Sequence, residues 1–297
     1  MGLSKGETKE LALATYDSLD SKPPKRLVAK AFNLTRQGLY YESKIHYKDN
    51  LLLQGIEYWH QIDDTLGCRK LSKLLKVSKI RVFRVMLKYD IKPRRITPQY
   101  NYHGKGKDIA GNLLLNKDNL EYYSILVSDI FQFRLIGGRW IYCCFIIRKE
   151  TRQVLSFSYG TSMEADLVGV ATKDLKRVDL VTDLTKTPII FHSDQGSQYG
   201  ASTTIDILNE LNFERSMSRA GTPTDNAISE RFVRTFKDSV VKRYRYSNLE
   251  EFKEFSTKWL NFYNNQRPHY SLKDVAPNEY ARNLGLSEIE YLCLKLV

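Results

Sequence analysis

Proline and cysteine are both scarce in this chain, with 8 and 4 among 297 residues. Little proline, with 19 tyrosines and 42% hydrophobic residues, argues against a disordered chain and supplies a core. Cys68, Cys143, Cys144 and Cys293 include no C-x-x-C pair, and none has a histidine at finger spacing. That pattern argues against a disulfide framework and against a zinc site. Cys143 and Cys144 lie inside an apolar run and read as small core residues. Long apolar stretches are missing as well. The longest, around "IYCCFII", is far short of the roughly 20 residues that cross a bilayer. No signal-peptide core opens the chain, and Gly6 stands where a myristoylation motif needs Ser or Thr. The expectation is a cytoplasmic protein with no membrane contact.

Acidic residues are in deficit: 34 against 46 Lys plus Arg, a net charge of +12. The deficit is local. Residues 1–110 carry 22 basic and 11 acidic residues, whereas 111–297 carry 24 and 23. A basic first third suits a polyanion, nucleic acid ahead of membrane. A lysine-rich solvated surface is the ordinary alternative.

That first third reads as helical. "ETKELALATYDSLD" has helix-forming composition and stops before Pro23 and Pro24. In "RLVAKAFNLTRQGLYY", Leu27, Val28, Ala31 and Phe32 share a face, Asn33-Leu34 suits a tight turn, and Thr35 suits a cap. This is a helix-turn-helix candidate whose second helix would bring Arg36 and Gln37 to base edges. The arrangement recurs in "CRKLSKLL" and "KIRVFRVMLKYD". There Ser78 is the expected cap, Val82, Val85 and Met86 the buried face, and Lys79, Arg81 and Arg84 candidate phosphate contacts. Pro93, Pro98, Gly104 and Gly106 then punctuate a basic linker.

Beyond it the period changes. "ILVSDIFQF", "RWIYCCFII", "QVLSFSY", "PIIF" and "FERSMS" read as strands. "SMEADLVGVATKDLKRVDLVTD", "YGASTTIDILNELN", "TDNAISERFVRTFKDSVVKRY" and "NLEEFKEFSTKWLNFYNNQ" read as helices, the first capped by Ser162. The order predicts an antiparallel hairpin edge that continues into parallel strands, with strands one and four adjacent. Asp129 would then lie mid-strand and Asp194 at the end of strand four, with their acids at one end of the sheet. Ile228, Phe232, Val233, Phe236 and Val240 form an apolar helix face, and Asn226, Glu230, Arg234 and Lys237 a polar stripe over the strand ends. Three carboxylates without His or Cys suit Mg²⁺ or Mn²⁺, and a pair of such ions suits phosphodiester chemistry. Lys237 is placed for a phosphate. Each acid also has an ordinary reading: Asp129 as a hydrogen-bonded core acid, Asp194 as a turn former, Glu230 as an exposed helix residue. Taken together with the basic first third, the three favour a site.

Three segments carry a resemblance. "FHSDQGSQYG", "SMSRAGTPTDNAISERFVRTFK" and "YNNQRPHYSLKDVAPNEY" resemble the second-acid, third-acid and terminal motifs of bacterial insertion-sequence DDE transposases. The subunit resembled is the second-reading-frame catalytic subunit, with its retroviral-integrase-like core. The gap between Asp194 and Glu230 holds 35 residues, the spacing of the family signature, and the likeness runs from about 25 to 283. It implies an RNase H-like, mixed five-stranded sheet with flanking helices after an all-α helix-turn-helix region. It implies Asp129, Asp194 and Glu230 as catalytic metal ligands, with Lys237, Arg267 and His269 toward DNA. It implies two Mg²⁺ or Mn²⁺ ions, cleavage at element ends and strand transfer by a 3′-hydroxyl. The implied partners are terminal inverted repeats and target DNA, further copies of the chain, and an upstream-frame helix-turn-helix and leucine-zipper protein or fusion. On DNA the protein would be nucleoid-associated. Two positions depart from the family pattern: Leu126 stands where a Trp is usual, and Arg148 where an Asp is usual. Asp118 is the nearest acid upstream of Asp129.

The organisation expected is a helix-turn-helix-like region at 1–48, a second at 49–98, a basic linker at 99–118, an integrase-type core at 119–283 and a tail at 284–297. The competing readings are a degenerate or domesticated DNA-binding protein of the same fold, and a metal nuclease without strand transfer.

Overall fold

The computed structural model describes residues 5–40, 44–94, 109–115, 120, 123–162, 165–177, 189–219, 222–289 and 295–296. Asp118 and most of the expected linker lie outside them. The chain forms two compact units, Met1–Leu53 and Gln54–Val297.

In the first unit, helices α1 (Lys5–Ser18), α2 (Lys25–Ala31) and α3 (Arg36–Tyr40) gather around Ala12, Val28, Ala29 and Leu39. The turn forms where the sequence placed it. Asn33 takes a left-handed φ of 53°, and the Leu34 N–H donates to the Ala29 carbonyl at 2.7 Å. Thr35 caps α3 by accepting the Gly38 N–H at 3.0 Å. Helix α4 follows (Lys44–Ile62).

The second unit opens with the next helix pair, α5 (Cys68–Leu74) and α6 (Lys79–Lys88), joined through a left-handed Lys76. Val82, Val85 and Met86 are buried, as their spacing requires. Ser78 holds the N-cap position of α6, but its hydroxyl makes no capping bond there.

The sheet contains β1 (Ser124–Arg134), β2 (Trp140–Arg148), β3 (Val154–Gly160), β4 (Ile189–Ser193), β5 (Phe213–Met217) and a two-residue β6 (Lys295–Leu296). Its order is β5-β4-β1-β2-β3-β6. β1, β2 and β3 are antiparallel neighbours, whereas β4 joins β1, and β5 joins β4, in parallel. The five longer strands are the expected five. Gly137 and Gly138, with φ of 88° and 87°, turn β1 into β2, a conformation closed to most other residues. Cys143 and Cys144 are buried in β2.

Helices cover both faces of the sheet. On one face, the Ser158 hydroxyl of β3 donates to the Leu167 carbonyl of α7 (Ala165–Asp174), and α7 packs on α8 (Ser202–Glu210). On the other lie α9 (Ala227–Phe236) and α10 (Leu249–Asn265). Phe131, Phe145 and Phe157 of the strands meet Phe232 and Phe236 of α9, and Phe236 meets Phe252 and Trp259 of α10. Burial of each such ring contributes about 1.5–3 kcal/mol. A short α11 (Pro277–Asn283) follows.

Two helices are less regular than their sequence pattern. The stretch expected as one helix over 224–244 is a 3₁₀ turn (Pro223–Asn226), then α9, then a π turn (Lys237–Val241). The buried face of α9 also turns from the predicted one. Phe232, Phe236 and Val240 are buried, but Ile228 and Val233 only partly so, whereas Ser229 and Ser239 are fully buried. Of the helix expected after Ser162, the described residues show Ala165–Asp174 as helix and Leu175–Arg177 as a 3₁₀ turn; 163, 164 and 178–183 lie outside them. No helix among the described residues is long and apolar enough to cross a membrane.

Candidate active site

Strand register brings two of the acids together. In the parallel β1–β4 pair, Val127 lies opposite His192. Asp129 lies two residues further along β1, and Asp194 follows the last residue of β4, close enough for its charge to act on Asp129. Asp129 shares its face with Phe131 and Phe133, the face that α9 and α10 cover. Across the sheet Asp129 is level with Phe145, and Phe145 with Phe157, so the acid ends an aromatic row.

The electrostatics follow from that placement. Asp129 is pushed up to about 8, first by burial and then by the Asp194 charge. Glu230 adds to the rise, while the Ile130 N–H and Lys237 oppose it. The Ile130 N–H reaches an Asp129 oxygen at 2.7 Å. Lys237 is lowered by burial, with Asp129 pulling the other way, and its ammonium lies 5.4 Å from the Phe131 ring centre. Glu230, exposed in the first turn of α9, is raised by partial burial. Among the described residues, no three His, Cys, Asp or Glu side chains form a group able to hold a metal ion. The close pair is Asp129 with Asp194; Glu230 acts on Asp129 through its field.

Asp194 is also a turn residue, because its Oδ1 accepts the Gly196 N–H at 3.0 Å. A Cβ on Gly196 would sit 3.0 Å from that same oxygen and 3.1 Å from Gln198 Oε1, so only glycine leaves the carboxylate in place. His192 beside it is fully buried. Its two ring nitrogens meet the Ser216 and Ser218 hydroxyls at 2.9 and 3.1 Å, and burial lowers it to about 4. It is a neutral core histidine.

Residues to which the sequence assigned no metal-binding role surround the pair. On the opposite face of β1, the Ser128 and Tyr199 hydroxyls meet at 2.9 Å. The Asn226 side chain donates to the Ser128 carbonyl at 3.4 Å, tying the start of α9 to β1. Arg219 grips Asp225 with two parallel bonds of 3.0 Å, and Asn112 donates to Asp225 at 2.8 Å. Burial and hydrogen bonding of this kind leave no periodic trace. Only Asn226 was marked by its place on the polar stripe.

The other expected DNA contacts divide. Arg36 and Gln37 are exposed at the start of α3, as are Lys79 and Arg84 on α6 and Arg234 on α9; Arg81 is half-buried. Arg267 is buried and His269 half-buried, each held against core side chains. Arg267 is 6% exposed and donates from Nε to Asp63 at 3.1 Å, with the Trp259 and Tyr263 rings nearby. Asp63 is fully buried and also accepts from Thr65 and Ser239. Burial raises its carboxyl, but Arg267 and those hydroxyls outweigh it and hold it low. His269 packs edge-on against Tyr263 at 4.7 Å, and burial, then Arg267, drives it well below the usual histidine range. The reason is the packing of residues 63–94 against the rest of the second unit. Arg94 completes it, with 2.8 and 3.1 Å bonds to Asp64 and one to the Asp238 carbonyl.

Two families, each described as Integrase core domain, match residues 121–223 and 211–277. These matches and the relatives below support a bacterial insertion-sequence transposase with an integrase-like core, a polynucleotidyl transferase of the general DDE type. Its relatives include the putative transposase InsK for insertion sequence element IS150 of Escherichia coli (strain K12). That protein is 27% identical, over 84% of this chain and 91% of its own length. Another is an uncharacterized 31 kDa protein of insertion element IS600 of Shigella sonnei, 32% identical over 52% of this chain and 55% of its own. Among solved structures, a Mos1 transposase catalytic domain is 16% identical, with a TM-score of 0.41, over 47% of this chain and 71% of that one.

Proposed function

We propose that this chain is a DNA transposase that cleaves at insertion-sequence ends and joins the freed 3′-hydroxyl to another strand, with Asp129, Asp194 and Glu230 as its catalytic carboxylates. The observation that carries the reading is the parallel pairing of β1 with β4, which supports Asp129 and Asp194 as neighbours whose charges, with that of Glu230, act on one another. The donors are carboxylate oxygens, the kind Mg²⁺ and Mn²⁺ take. The raised proton affinity of Asp129, due to burial and to Asp194, is a state that a cation relieves. Divalent ions held by these three residues would supply polarisation of the scissile phosphate and activation of a water or 3′-hydroxyl.

The remaining work falls to the chain. Lys237, on the π turn after α9, places a cation beside Asp129 where a phosphate would lie. Arg234, one turn earlier and exposed, grips the adjoining backbone. Asp225 and Asn226 hold the start of α9, and with it the position of Glu230.

The test is strand cleavage of labelled terminal-repeat duplex in Mg²⁺, comparing wild type with Asp194→Asn and Glu230→Gln. Each variant should bind the ends and cut at least 100-fold more slowly. Equal cutting by wild type and both variants would leave a DNA-binding protein of the same fold without catalysis.

A further inference from the structure

The solvent side of α6 is apolar. Ile80 is 81% exposed, Leu87 69% and Phe83 56%. At 100° per residue these three form one stripe, opposite the buried Val82, Val85 and Met86. A stripe of large apolar side chains in water is costly unless it has a partner.

Its surroundings identify that partner's chemistry. Residues 68–94 carry ten basic residues and one acid, Asp90. Lys79 flanks the stripe on one side and Arg81 and Lys88 on the other, with Arg84 at its rim. Beside the N-terminus of α6 is a groove of about 430 Å³ lined by Arg69, Lys73 and Lys79 and by Asp274, which pairs with Arg69 at 3.0 Å and Lys73 at 3.8 Å. An apolar protein partner would meet this ring of cations at a desolvation cost, whereas duplex DNA offers it two rows of phosphates. Between those rows, the major groove admits one α-helix, and the thymine C5-methyl is the apolar group it displays. α6 is also the second helix of a tight-turned pair, the element that enters the groove in such units.

We propose that Ile80, Phe83 and Leu87 are the base-reading face of this module and recognise thymine methyl groups in the major groove of the bound duplex. Lys79, Arg81, Arg84 and Lys88 hold the flanking phosphates and carry no sequence information. This rests on DNA being the substrate of the chain, but concerns recognition at a surface distinct from the carboxylates.

The experiment uses the full chain. Its preferred duplex is selected from a random pool and compared with the same duplex carrying deoxyuridine for thymidine, which removes only the methyls. Wild type should bind the uracil duplex about three- to fourfold more weakly per contacted methyl. Ile80→Ser and Phe83→Ser should bind both duplexes equally, while holding their affinity for an unrelated duplex within about twofold. Lys79→Ala should weaken binding to every duplex alike. Melting curves confirm that the variants, altered at exposed positions, remain folded. Three results would overturn the proposal: no preferred duplex, equal binding of thymine and uracil duplexes by wild type, or a self-association lost in Ile80→Ser while its DNA preference persists. The last would assign the stripe to a second copy of the chain. Binding is measured apart from cleavage, so a chain that reads methyls without cutting keeps this inference and loses the transposase reading. A chain that cuts but is blind to methyls does the reverse.

Discussion

Asp129 is an acid held at a cost in stability. Its carboxyl rises from an ordinary 3.8 to about 8 in the folded chain, through burial and the neighbouring Asp194. Between those values the native state keeps a proton that the unfolded state has released. Stability contributed by the neutral form is therefore present at low pH and lost as pH rises from about 4 to 8. Asp129→Asn removes that dependence. In metal-free buffer its melting midpoint should exceed that of wild type at pH 8, by about 2–4 °C for each kcal/mol relieved, and the gap should shrink toward pH 4. Adding Mg²⁺ should raise the midpoint of wild type more than that of the variant. A gap that is constant across pH would contradict the placement of Asp129 beside Asp194. Asp63 presents the opposite case, because Arg267 and two hydroxyls hold its carboxyl low. Asp63→Ala leaves a buried guanidinium without its carboxylate and should cost about 3–5 kcal/mol in a urea titration, with little effect on DNA affinity beyond lost fold.

At the scale of elements, α9 carries both fold and site on separate faces. Phe236 packs among Phe131, Phe157, Phe252 and Trp259, so Phe236→Ala should cost about 3–5 kcal/mol in unfolding free energy. Glu230→Gln, on the exposed face, should change stability by less than about 0.5 kcal/mol while abolishing cleavage. The two together separate loss of helix from loss of chemistry. The apolar spacing of α9 was legible because burial on one side of a helix leaves a period of 3.6. Its rotation by a fraction of a turn was not, since Ser229 and Ser239 are small polar residues that are buried nonetheless, and Ser239 finds its partner in the distant Asp63. The same limit explains Arg267. In sequence it is a polar residue after a helix, and only the distant Asp63 reveals it as half of an internal pair.

For the whole molecule, the distribution of charge predicts which part holds DNA. Residues 1–43 contain seven basic and five acidic residues, a small part of the surplus in the first third. The first unit also has a small core, four buried apolar side chains, and is of a size that is marginal alone. A fragment of residues 44–297, which keeps α4 whole, should unfold cooperatively and hold unrelated duplex within about threefold of the full chain. By contrast, Lys73→Ala, Lys79→Ala and Arg84→Ala combined should lower the slope of log affinity against log salt by about 2–3. A fragment that loses most of its affinity would move the main DNA contact to Arg36, Gln37 and the first unit.

Local chemistry was enough to determine the strands, the helix pairs, the turn at Asn33 and the acid that closes β4. Alternation, helical period, and turn residues act over a few neighbours, and so they are written into short stretches. The family motifs around Asp194 and Glu230 are equally local. Tertiary structure alone decided which acids meet, because register is a relation between strands more than 60 residues apart, and Asp129 and Asp194 become neighbours only once β1 and β4 pair. It decided, too, that Arg267 and His269 turn inward while Ile80, Phe83 and Leu87 turn outward. Burial of a charge and exposure of an apolar stripe depend on what else in the chain arrives at that place, and no window of sequence contains it.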